Sequence, residues 1–88
     1  MTKEELYKSI NIVANSMDSD EIQKHREIIN HFIENNHLFN SDVEKDLADW
    51  NNLVAKRRNE VDKNLDYPNM SAKLSQISSI IDKLNPPV

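Results

Sequence analysis

SDVEKDLADWNNLVAKRRNEVDKNL, residues 41–65, decides the fold of this chain. Val43, Leu47, Trp50, Val54 and Val61 recur through it at helical spacing, with Leu65 one turn further on. Steps of four, three and four fall on one stripe of a helix, so the spacing predicts an amphipathic α-helix. Ser41-Asp42-Val43-Glu44 has the pattern of a capping box, in which the Ser oxygen and the Glu carboxylate satisfy backbone donors reciprocally. From that start about 24 residues extend at ~1.5 Å each, roughly 36 Å of helix. The stretch holds the single Trp, the acids Asp42, Glu44, Asp46 and Asp49, and the basic triplet Lys56-Arg57-Arg58. Arg57 is the one break in the apolar stripe.

Outward from this helix the same period recurs. Thr2-Lys3-Glu4-Glu5 is a second capping box, followed by Leu6, Ile10, Val13 and Met17, with Tyr7 and Ala14 widening the stripe. Asp18-Ser19-Asp20-Glu21 ends that helix and starts another, which carries Ile22, Ile29, Phe32 and Ile33 inward, His25 on the same stripe and Ile28 at its edge. The pair Asn35-Asn36 tolerates the left-handed conformation and should close it. Phe39, just outside the next cap, is placed to fold back as a hydrophobic staple. On the other side, Pro68 lacks an amide donor and pushes Tyr67 out of the α region, which puts a break there. A last helix then shows Met70, Leu74, Ile77, Ile81 and Leu84 in line, with Ile80 beside them, before Asn85-Pro86-Pro87-Val88. Four stripes with short connections predict an all-α fold: a small antiparallel bundle of four helices, the third longest, in a single domain over 1–88 with 86–88 as a frayed tail. The competing arrangement is a helical hairpin with short helices draped across it, its core completed by a second copy.

Composition narrows the function. A formal charge of −4 over 88 residues disfavours a general electrostatic grip on nucleic acid, so direct nucleic-acid binding is not expected. The absence of Cys removes disulfides, thiolate metal sites and thiol nucleophiles. The absence of Gly removes phosphate-cradling loops and the nucleophile elbow, both of which need backbone that a Cβ would obstruct. Glu34 and His37 have the spacing that aims a carboxylate and an imidazole at one metal, but once and at a helix end. His25, His31 and His37 step by six and wind around the helix. No metal, cofactor or catalytic residue is expected, and the chain reads as a non-enzyme. No apolar run reaches membrane-spanning length and no signal-peptide pattern opens the chain, which favours a cytoplasmic protein.

What is left is binding. Tyr7, Ile28, Phe39, Leu53 and Ile80 lie at stripe margins or in a loop, more apolar surface than one small bundle is expected to bury. The expected partner-binding residues are Leu53, Lys56, Arg57, Arg58, Glu60 and Val61 on the long helix. There a homodimer contact would set Arg57 against a carboxylate of the second copy, and a protein target of unknown identity is the other partner. The layout resembles the small four-helix immunity proteins of bacteriocin producers in size, charge balance and cytoplasmic character; the likeness is one of architecture and no motif carries it. It implies a small protein that inhibits, protects or adapts a protein target. An accessory protein of a phage or mobile element fits the same size. The alternatives are an acidic decoy of a DNA-handling protein, with carboxylates arrayed like phosphates, and a self-assembling structural subunit.

Overall fold

The computed structural model describes residues 3–64 and 68–84, and among them every regular element is helical. The helices are α1 (Lys3–Asn15), α2 (Ser19–Glu34), α3 (Ser41–Asp62), α4 (Pro68–Ser75) and α5 (Ile77–Leu84). Gln76 alone separates the last two, so α4 and α5 form one interrupted fourth arm. Around the bundle α1 packs on α2, α2 on α3, and α3 on the fourth arm, which closes the ring against α1. That order is the antiparallel four-helix bundle predicted from the stripes, 40 × 24 × 20 Å in extent.

Each arm delivers the stripe its period specifies. Leu6, Ile10, Val13 and Ala14 of α1 meet Ile22, Ile29 and Ile33 of α2. Leu47, Trp50, Val54 and Val61 of α3 complete the core with Leu74, Ile77, Ile81 and Leu84 of the fourth arm. Tyr7, Phe32, Phe39, Val43, Leu53, Met70 and Ile80 pack on its margins. The apolar surplus is therefore largely absorbed, because the stripes of a globular bundle are wider than a coiled-coil seam.

Several local expectations are corrected. The cap of α3 is Asn40, not Ser41: its side-chain oxygen accepts from the Val43 N–H at 3.0 Å, and Ser41 is already helical. Phe39 thereby stands directly outside the cap. Helix α3 ends at Asp62, with Lys63 as its C-cap, and Asn64 takes the left-handed conformation (φ 56°) that a chain without Gly assigns most readily to Asn. Asn35 does not adopt it (φ −95°). Met17 is 59% exposed, since α1 stops at Asn15 and the stripe is lost beyond it. The fourth arm breaks at Gln76, where Gln76 N–H donates to Lys73 and Ser79 N–H to Gln76, three-residue spans replacing the regular ladder. The Ser75 hydroxyl donates back to the Ser71 carbonyl, a bond of the kind that bends helices. The expected cap at Thr2, the stripe end at Leu65, the conformation of Tyr67 and the tail from Asn85 to Val88 lie outside the described residues.

Asp18 caps α2, accepting from the N–H groups of Asp20 at 2.9 Å and Glu21 at 3.3 Å. Asp18→Ala removes both bonds and should cost about 1 kcal/mol, within the usual range of ~0.5–2 for an N-cap. In a domain of this size that lowers the melting temperature by roughly 4–8 °C. Calorimetry of the variant checks it.

Candidate functional site

The fourth arm and α3 leave a groove between them. Its floor is Trp50, Leu53, Ile77 and Ile80; Asp46 and Asp49 stand on the α3 wall, and Lys73 and Lys83 on the opposite one. About 530 Å³ lies within it, open to solvent along its length. The register is set from inside: the Trp50 indole N–H donates to the Leu74 carbonyl at 3.0 Å, and Asn36 Nδ2 donates to the Leu84 carbonyl at 3.2 Å. Trp50 is thus a core residue with its one polar group satisfied, which is how a buried indole is kept without penalty.

A second apolar surface runs along α2. Lys24, Glu27, Ile28, His31 and Phe32 follow one another at helical spacing on a single face. Ile28 is half-buried but stands apart from the cluster that takes in Phe32.

The seam between α2 and α3 is polar, and sequence reasoning missed it. Arg26 Nε donates to Asn51 Oδ1 at 2.8 Å, and Asn30 and Asn51 exchange amide bonds at 2.9 and 2.8 Å. Asn51 Nδ2 also donates to the Leu47 carbonyl at 3.0 Å. Arg58 donates to Ser19 Oγ at 3.2 Å and to Gln23 Oε1 at 3.0 Å, and Arg26 reaches the same Gln23 oxygen at 3.4 Å. Burial, and then the neighbouring Arg58 charge, push the Arg26 guanidinium below its ordinary range, with Glu27 opposing. The signal available in sequence was Asn30 and Asn51 at stripe edges, but an edge Asn reads equally as solvated.

The six expected partner-binding residues do not share a surface. Lys56 is exposed, Leu53 lies on the groove floor and Arg58 is spent on the α2 seam. Val61 belongs to the core. Glu60 is half-buried, with Oε2 buried and unbonded. Arg57, expected to mark a contact between chains, is 6% exposed within one chain. Its Nη2 donates to the Ser16 carbonyl at 3.1 Å and lies 3.9 Å from Met17 Sδ, while Nε has no partner. α1 has no basic residue in its last turn, and Arg57 brings a cation from α3 to the carbonyl of Ser16, the residue that follows that helix. Of the residues expected at a dimer contact, Arg57 and Val61 are therefore buried within one chain and Leu53 is half-buried beside the groove.

Groups with chemical potential are few. Ser9 Oγ and His25 Nδ1 lie 3.0 Å apart, the spacing of a nucleophile and its base. Ser9 is 5% exposed in the middle of α1, where neighbouring amides serve the helix ladder and offer no oxyanion site. Among the described residues nothing orients the far side of the His25 ring. The pair acts as a tie between α1 and α2, as the Tyr7 hydroxyl donating to Asp82 ties α1 to α5. Glu34 and His37 are both exposed, and no three His, Asp or Glu among the described residues converge on a metal-sized site. No helix among those residues is long and apolar enough to cross a membrane. Compared with protein-family models, curated proteins and solved structures, the chain matches none.

Proposed function

We propose that the chain is a small non-enzymatic protein-binding protein of the inhibitor, immunity or adaptor type, acting in the cytoplasm through a helix-face contact with a protein target, in keeping with an accessory protein of a phage or mobile element. The outward face of α2 carries this reading. Ile28 stands there with Phe32 among Lys24, Glu27 and His31, an apolar centre with a polar rim such as protein interfaces use. The Ser9–His25 pair and the Arg26–Asn30–Asn51 group serve to hold helices together.

The test is capture of the target from source cells with the native chain and with Ile28→Asp. Ile28 does not pack on the core, so the variant should keep its circular dichroism spectrum. One stoichiometric protein held by the native chain, and held at least about tenfold more weakly by the variant, is the expected result; tenfold is ~1.4 kcal/mol, the scale of an interface anchor. A target retained by Ile28→Asp would overturn the α2 assignment. A DNA-handling protein released only when Asp42, Asp46 and Asp49 become Asn would replace the reading with an acidic decoy.

A further inference from the structure

The α3 groove has walls of opposite charge. Asp46 and Asp49 stand on one side and Lys73 and Lys83 on the other, all four exposed over a floor of Trp50, Leu53, Ile77 and Ile80. Among the described residues none of these four side chains makes an ion pair or hydrogen bond, within the groove or outside it. The bond from Trp50 to Leu74 sets the middle of α3 level with the start of the interruption. The bond from Asn36 to Leu84 sets the entry to α3 level with the end of α5. Asp46 and Asp49 consequently lie, along the bundle, between the levels of Lys83 and Lys73.

We infer that this groove is the contact face of a homodimer, in which α3 of each copy lies on the α4–α5 arm of the other. The charge pattern selects that arrangement. Laid face to face, two copies can meet α3 on α3 or α3 on the fourth arm. The first sets acids against acids and lysines against lysines, which costs energy at close range. The second, with its two-fold axis running along the helices, brings each acidic wall onto a lysine wall, its acids between the levels of the two lysines, twice over. Two shallow grooves then make a four-helix layer, with Leu53 and Ile80 of both copies enclosed between the rims. Rim pairs of this kind contribute little each, so the apolar floor supplies the affinity and the charges set partner and orientation. The α2 face lies across the bundle from the fourth arm and stays open, so this inference stands independently of the proposed target contact.

Charge reversal tests it. Asp46→Lys/Asp49→Lys and Lys73→Glu/Lys83→Glu change only exposed side chains, and circular dichroism verifies that each variant folds. Masses are read by light scattering across a hundredfold dilution. The native chain should be dimeric at the concentrated end, and each variant alone should associate at least tenfold more weakly. An equimolar mixture of the two variants should recover a one-to-one dimer, because every wall again meets its opposite. Added salt should weaken the mixed dimer. A native chain that is monomeric throughout overturns the inference and leaves the groove to a foreign helix. Variants that dimerise alone as the native chain does, or a mixture that fails to recover association, overturn it equally.

Discussion

Trp50→Ala should leave the chain close to unfolding. The indole is 4% exposed and sits between α3 and the fourth arm, so its removal leaves a cavity that the helices can only partly close. Deleting a buried aromatic costs ~3–5 kcal/mol, and the Leu74 carbonyl loses the indole N–H as well. At ~0.05–0.15 kcal/mol per residue a domain of 88 residues has roughly 4–13 kcal/mol in total, and in the lower half of that range the loss nearly exhausts it. Urea denaturation followed by far-ultraviolet circular dichroism measures it. Trp50→Phe separates the two contributions: it keeps most of the volume and loses the hydrogen bond, so it should cost only about 1–2 kcal/mol. A Trp50→Ala chain with an unchanged midpoint would mean that the ring is an accessory of the groove and not a member of the core.

Arg57→Ala is the second large effect, and the magnitudes say where it comes from. The charge-assisted bond to Ser16 is worth ~1.5–3 kcal/mol, but the buried, unbonded Nε gives back a similar amount. Those contributions nearly offset, which leaves the packed stem of the side chain as the net stabiliser. Arg57→Ala should therefore cost about 2–3 kcal/mol, by truncating that stem as well as uncovering the end of α1. Arg57→Met keeps the stem and removes both the bond and the orphaned donor, and it should lie within about 1 kcal/mol of native. Paired denaturation curves decide the matter. If Met is as damaging as Ala, the guanidinium at the α1 terminus is the stabilising part and the stem is incidental.

Both residues were singled out in the sequence, for reasons of unequal worth. Trp50 follows from period alone: a large apolar side chain in register with Leu47 and Val54 has one place to go, and that place is inside. Arg57 shares the register, yet register does not say whether a charged group on a core stripe faces another molecule or the end of another helix. The answer depends on α1 stopping at Asn15, which leaves the Ser16 carbonyl open within reach of an arginine on the opposite side of the bundle.

The four helical stripes, most of their inward faces and the bundle class were legible in the sequence, because helical period is a property of neighbours in the chain. Leu6, Ile22, Val54 and Ile81 could be assigned to the core without any knowledge of what they touch. Tertiary structure alone decided what lies between the helices. It turned Arg57 inward, gave Arg58 to Ser19 and Gln23, built the Arg26–Asn30–Asn51 seam and opened a groove with acids on one wall and lysines on the other. Each depends on how one helix is rotated and shifted against the next. That is settled by the packing of all four arms at once, and no single stripe encodes it.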